Sequence, residues 1–298
     1  MGITVSTAAL LARAKLGGAR FDRTATVGRQ SMALSNADLA RLARRLNVPQ
    51  PDWKTFAVDR YCEDLFRYFF GARQVSSFDA SDYQNASVVH DMNRPIPPEY
   101  TKEFDALVDG GTIEHIFDVK QVLRNYMSLV RVGGDVFICT TANNLCGHGF
   151  YQFSPEFFYR VFSEANGFRV ELVCMIETPF HLVEKSPRQR IFEAADPMSV
   201  GKRMVIVTDK PVSIYVHARR IADRPLFAEP PYQSDYRTEW TTRSAEGAFP
   251  SRPQAEVGRA ATGHVFSYLS RWQALRRRQL QHRKNSLSNR NWFKPLTP

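Results

Sequence analysis

Between residues 20 and 212, short runs of β-branched and aromatic residues alternate with stretches of helical period. That alternation constrains the fold more than any other feature, because strands that alternate with helices pair in parallel and are covered by helices on both faces. The first strand is predicted at Thr24-Ala25-Thr26-Val27, ending at Gly28. A helix capped by Ser35 or Asn36 follows through Leu39, Leu42 and Leu46 until Pro49 and Pro51 end it. A second helix, around Tyr61, Leu65, Phe66 and Phe69, stops at Gly71. Residues 75–79, 87–91 and 104–109 read as three strands, each ending in a carboxylate. A helix over 119–130 gathers Val122, Leu123, Tyr126 and Leu129 on one face, with Gly133-Gly134 as its expected stop. The strand 136–140, a helix opened by Ser154-Pro155-Glu156 and running to Asn166-Gly167, and strands at 170–176 and 204–208 complete the series.

The expected fold is therefore α/β: a doubly wound, mostly parallel sheet of about seven strands over residues 21–212, with a helical insertion after the first strand. Residues 1–20 form an N-terminal segment, and the proline-, serine- and charge-rich stretch 213–258 reads as an extension or linker. Residues 259–298 read as a basic amphipathic tail, partly disordered, with the asparagine- and serine-rich 285–290 as its loosest part. No internal repeat is seen.

Charge follows this division. The formal net charge is +10, but residues 259–298 contain nine Arg or Lys and no Asp or Glu, which leaves about +1 for residues 1–258. A nearly neutral body offers no broad basic face to hold a duplex, which argues against nucleic acid as the partner. Within the tail, Val265, Phe266, Leu269, Trp272, Leu275 and Leu280 interleave with Arg271 and Arg276-Arg277-Arg278. On a helix, residues 265–284 suit an anionic membrane surface, a protein partner or nucleic acid, or else dock on the domain through Trp272. Cys62, Cys139, Cys146 and Cys174 are scattered without a zinc or redox spacing, as expected of reduced thiols in a cytosolic protein. No apolar run approaches the ~20 residues that span a bilayer.

In open parallel sheets ligands bind at the carboxyl ends of the strands. Those ends read Gly28, Asp79, Asp91 and Asp109-Gly110-Gly111. Glycine lets backbone amides approach a ligand, a carboxylate ending the second strand suits both ribose hydroxyls, and another one strand over suits an exocyclic adenine amine. Together they describe an adenosine pocket. Asp also favours strand-to-loop junctions simply as a cap or turn former. No Gly-x-Ser-x-Gly elbow, Gly-Lys-Ser loop or metal-ligand spacing is present, so the sequence motifs assign neither hydrolase, triphosphatase nor metal chemistry.

The run from Phe104 through Asp109-Gly110-Gly111-Thr112-Ile113-Glu114-His115, the following helix, Gly133-Gly134 and the strand after it resemble class I S-adenosylmethionine-dependent methyltransferases. Asn143-Asn144 and the run Gly147 to Pro155 look like a bacterial subgroup. The resemblance covers roughly residues 20–210. It implies a Rossmann-like methyltransferase fold, S-adenosylmethionine as cofactor near Gly28, Arg29, Asp79, Asp91, Asp109 and Gly110, and an enzyme that methylates a small-molecule or carbohydrate acceptor. Where the family has a glycine cluster, this chain has Val27-Gly28-Arg29-Gln30, in which Arg29 either binds the cofactor carboxylate or obstructs it. Gly28 and Asp79 lie 51 positions apart, a spacing that an insertion after the first strand accounts for, expected as a cap over the pocket.

His115 is the candidate general base, since an ordinary imidazole titrates near neutrality. Glu114 either orients it or contacts the cofactor, and His148, in a loop between two glycines, is a second group facing the acceptor. Both histidines also fit a capping or solvated role. The single-glycine loop leaves open a different class of function, a non-catalytic methyltransferase-like scaffold acting through the basic tail.

Overall fold

The structure is a computed structural model that describes residues 2–52, 56, 59–179, 189–201, 203–236 and 286–298. In chain order its elements are β1 (Gly2–Ile3), α1 (Val5–Leu16), β2 (Arg23–Val27), β3 (Ser31–Met32), α2 (Asn36–Leu46), α3 (Glu63–Phe70), β4 (Gln74–Asp79), β5 (Val88–Val89) and β6 (Phe104–Asp109). They continue with α4 (Val119–Leu129), β7 (Val130–Asn143), α5 (Pro155–Val161), β8 (Phe168–Glu177), β9 (Arg190–Ala194), α6 (Pro197–Val200), β10 (Val212–Arg220) and β11 (Phe293–Pro295).

Local chemistry sets most boundaries where the sequence places them. Ser35 and Asp38 close a reciprocal capping box on α2, and Asn47 ends that helix in the left-handed region. Gly71, at φ 71°, ends α3, and Ser154 caps α5 with Pro155 in its first turn. Along β6, Ala106 and Val108 face one layer and Leu107 the other. One layer consists of α1, α2 and α3 on the aromatic cluster Phe21, Phe66, Phe70 and Phe137; the opposite layer packs α4 and α5 through Val122, Tyr126, Phe158 and Phe162. The helical insertion thus covers a sheet face rather than forming the expected cap over the strand ends.

The main sheet has nine strands among the described residues, in the order β11-β9-β8-β10-β7-β6-β2-β4-β5. The five strands β5-β4-β2-β6-β7 are parallel, and β10 lies antiparallel between β7 and β8. The Rossmann-like α/β architecture matches expectation, whereas three details correct it. The strand placed at 204–208 does not form; the chain enters the sheet at 212–220 instead, so the sheet runs on past the expected boundary at 212. Gly133-Gly134 does not end α4, which stops at Leu129, but lies inside β7 at a register shift opposite Phe104 and Ala106. A Cβ on Gly134 would stand 2.9 Å from the Asp105 carbonyl, so this glycine serves strand packing, whereas Gly133 serves the turn of the backbone at φ 84°. The end of the basic tail is not loose: β11 pairs with β9, and Leu287, Trp292 and Phe293 are buried in the core. Residues 237–285, which hold the amphipathic stretch 265–284, lie outside the described residues. The four cysteines form no disulfide among the described residues, and no helix of these residues is long and apolar enough to cross a membrane.

Candidate functional site

From β2 the chain winds outward to β4 and β5, then crosses back to β6 on the other side of β2. The topological switch point therefore lies between β2 and β6, where Val27 pairs with Asp109, and the crevice outside these ends is where an open α/β sheet binds its ligand. Gly28 and Gly110 face it. Gly28 turns the chain at φ 73° and donates its amide to the Phe78 carbonyl at 2.6 Å. Gln30 and Thr112, which sequence reasoning missed, fill the space between the two glycines. Thr112 Oγ1 donates to the Val27 carbonyl at 2.8 Å, and Gln30 Nε2 donates to the same carbonyl and to Thr112 Oγ1. A Cβ on Gly110 would lie 2.6 Å from Gln30 Oε1 and 3.3 Å from the Gly2 backbone. The buried Gln30 Oε1 itself has no partner. No periodicity or motif could have announced Gln30, because it reaches the crevice by reversing across a turn.

The four acidic or basic residues expected at the cofactor behave differently from one another. Asp79, half-buried at the end of β4, accepts one long bond, from the Arg29 amide at 3.4 Å, and keeps capacity for two hydroxyl donors. Asp91 folds back into an Asx turn, accepting from Asn93 N at 2.9 Å and Asn93 Nδ2 at 2.8 Å; these bonds hold its carboxyl below the usual range. Only its other oxygen, 4.0 Å from Arg94 Nε, faces outward. Arg29 is tied down: its guanidinium bonds Glu63 at 2.8 Å, Asp59 at 3.0 Å and the Gln84 carbonyl at 2.9 Å, and lies 3.9 Å over the Tyr61 ring. Two carboxylates already neutralise it, so it is not placed to clamp a third.

Asp109 is the clearest departure. Fully buried, it accepts from the amides of Gly111 (2.9 Å), Thr112 (2.7 Å) and Ile113 (3.0 Å) and from Tyr126 Oη (2.8 Å). Four donors saturate a carboxylate. Its work is to build the turn after β6, not to touch a cofactor. That turn is a short 3-10 helix, Ile113–His115, which presents Glu114 and His115 side by side.

The structure brings the three candidate catalytic residues together. Glu114 is fully buried, with Oε2 accepting from Thr140 Oγ1 at 2.7 Å. Burial, reinforced by the Asp109 charge, pushes its carboxyl up to about 7. The loop after β7 folds back over it: Phe150 N donates to the Glu114 carbonyl at 2.7 Å, and Gly149, at φ 83°, passes so close that a Cβ would stand 2.7 Å from that oxygen. This contact places His148 Nε2 3.7 Å from Glu114 Oε1 and stacks its ring edgewise on His115, centroids 5.0 Å apart. His115 is exposed, and partial burial and the neighbouring His148 hold its imidazole below the ordinary value. Phe117 and Phe150, both largely exposed, meet edge to face at 6.4 Å beside this cluster. His90 and Asp91 do not join it.

No family model matches the chain, and no curated protein matches it. Solved structures do. One is a putative methyltransferase from Bacillus halodurans, 11% identical over 74% of this chain and 100% of that chain, with a TM-score of 0.42. Another is 1,6-didemethyltoxoflavin-N1-methyltransferase from Burkholderia thailandensis with bound 1,6-didemethyltoxoflavin and S-adenosylhomocysteine, 12% identical over 73% and 78%, TM-score 0.37. A third is the branched-chain polyamine synthase from Thermus thermophilus in complex with N4-aminopropylspermidine and 5'-methylthioadenosine, 10% identical over 78% and 60%, TM-score 0.35. With TM-scores below 0.5, none of these likenesses fixes the reaction, which has to be read from the strand ends themselves.

Proposed function

We propose that this protein transfers a methyl group from S-adenosylmethionine to a small-molecule acceptor. One observation carries the reading: the Asp79 carboxylate, half-buried at the second strand end with its acceptor sites nearly free, beside the Gly28 turn at the switch point. Asp79 would hold the ribose hydroxyls, the outward oxygen of Asp91 the adenine amine, and the edges of Gly28 and Gly110 the chain toward sulfur. When bound, this cofactor supplies an electrophilic methyl on a sulfonium. The protein's part is alignment and proton uptake.

His115 is the proposed base. Its lowered proton affinity keeps the imidazole neutral and able to accept a proton at neutral pH. His148 packs edgewise on its ring, and Glu114 Oε1 stands 3.7 Å from His148 Nε2. The exposed Phe117 and Phe150 rings offer an apolar platform for a planar molecule or a sugar face. A cavity of about 270 Å³ lies along the same loop, lined by Asn143, Gln152 and Glu156 together with Phe153, Met175 and Met204, and is of a size for a small group of mixed polarity.

A second reading has its own support. Gln30 and the Gly2 backbone occupy the crevice, as they would in a non-catalytic module. Calorimetric titration with S-adenosylhomocysteine decides between the two. Saturable binding supports the transferase, and absence of binding at millimolar ligand overturns it.

A further inference from the structure

Three side chains with metal-ligating atoms converge from two loops: Glu114 and His115 after β6, and His148 after β7. One carboxylate oxygen and one nitrogen of each ring all lie within 4.8 Å of one another. Proximity alone would say little. Glu114 Oε1, however, is buried with no hydrogen-bond partner, and the atom it faces at 3.7 Å, His148 Nε2, is also buried with none. An orphaned carboxylate oxygen in a fully buried side chain has lost its water and gained nothing in return. The separation is too long for the two to satisfy each other.

A cation satisfies both. Ligand atoms at ~2.1 Å from one ion stand ~3.0–3.4 Å apart in octahedral or tetrahedral arrangement, so small side-chain rotations close the observed gap. Thr140 Oγ1, bonded to the other Glu114 oxygen, already fixes the carboxylate in the way that outer partners orient metal ligands. Two imidazoles and one carboxylate suit Zn²⁺, Fe²⁺, Co²⁺ or Ni²⁺ better than Mg²⁺ or Ca²⁺. Three protein ligands leave coordination positions open, and the exposure of His115 leaves the cluster reachable from solvent.

We infer that Glu114, His115 and His148 bind one divalent transition-metal ion. The site stands on its own geometry; its role rests on the proposed methyl transfer. There, an acceptor hydroxyl held at an open position would lose its proton to water, and the cofactor would supply the methyl group to its oxygen, with S-adenosylhomocysteine as the leaving group. Both imidazoles are then ligands, and His115 is no longer the base.

The test is titration of the full-length, metal-stripped chain with Co²⁺, followed by its visible d–d absorption. One saturating equivalent is expected, weakened at least about 10-fold in both Glu114→Gln and His148→Ala. Absence of a saturable band at millimolar Co²⁺, or binding unchanged in His148→Ala, overturns the site. His148 lies on a partly exposed loop, so that variant decides the matter even if Glu114→Gln fails to fold. Affinity for S-adenosylhomocysteine, measured on the same samples, separates the two ideas: cofactor without cobalt refutes the metal alone, and cobalt without cofactor refutes the transferase alone.

Discussion

Tyr126 Oη donates to Asp109 Oδ2 at 2.8 Å, and both side chains are wholly shielded from solvent. The phenol is the one side-chain donor among four groups that hold the carboxylate, the others being amides of the turn that follows β6. Tyr126→Phe is expected to cost about 1–2 kcal/mol, because it removes one charge-assisted bond and leaves three. Asp109→Ala orphans three buried amides and is expected to cost 3 kcal/mol or more, on the order of a broken buried network. Urea unfolding of both variants measures this. Equal, small losses would show that the turn does not depend on the carboxylate.

Asp79, at the equivalent end of β4 on the far side of β2, is expected to do the opposite. Its carboxylate has one long internal bond, so Asp79→Asn leaves stability within about 0.5 kcal/mol of the parent. Loss of hydrogen bonds from ribose hydroxyls to a charged group is expected to weaken S-adenosylhomocysteine binding by about 10- to 100-fold. If calorimetry finds binding unchanged, the ribose assignment is wrong.

Asp79 and Asp109 also show what was legible in the sequence. Both end strands, and the strand ends were readable because β-branched runs and helical spacing are local signals. What each carboxylate touches is not local. Asp109 is consumed by its own turn and Asp79 is not, a difference of hydrogen-bond bookkeeping that residue type does not reveal. Arg29 was likewise readable as a cation near the first loop, but its neutralisation by Glu63 and Asp59 depends on how the inserted segment folds back. The meeting of His148 with Glu114 needs β7 to lie beside β6, followed by a loop that returns; no ligand spacing records that. β10 was missed for another reason. It joins the sheet as an antiparallel insertion between β7 and β8, so the alternating pattern used to find strands had already closed.

Glu114 makes stability depend on pH. Its carboxyl is raised from an ordinary 4.5 to about 7, so the folded chain binds this proton more tightly than the unfolded chain. The stabilisation is complete below 4.5 and is lost as pH rises from there to about 7, a change of about 3 kcal/mol. Glu114→Gln, neutral throughout and able to keep the Thr140 bond, should lack this slope. In chelator-treated samples it is expected to exceed the parent by about 3 kcal/mol at pH 8 and to match it at pH 4. Identical urea midpoints at pH 8 would refute the raised carboxyl.

Gln30 occupies the crevice between Gly28 and Gly110, where the cofactor is proposed to bind. If binding turns its amide away from the Val27 carbonyl and Thr112, removing the side chain spares that loss, worth about 1 kcal/mol. Gln30→Ala is therefore expected to bind S-adenosylhomocysteine about 5-fold more tightly, at a cost of about 1 kcal/mol in stability. A weakening of similar size in the titration would instead make Gln30 a direct cofactor contact.

The end of the chain is expected to matter for the sheet regardless of what the basic stretch before it does. Phe293 is fully buried and Trp292 nearly so, the Trp292 carbonyl accepts from Ala195 N at 2.9 Å, and β11 pairs with the outer edge of β9. Removing a buried aromatic ring from such a position costs about 3–5 kcal/mol. Phe293→Ala should therefore lower the urea midpoint sharply, while substitution of the exposed Lys294 by Ala leaves it unchanged. Deletion of residues 286–298 also uncovers the edge of β9 to pairing with other chains, so concentration-dependent association is expected in light scattering. A deletion variant as stable and monomeric as the parent would show that β11 contributes nothing to the fold, and that the C-terminal charge and the sheet are independent.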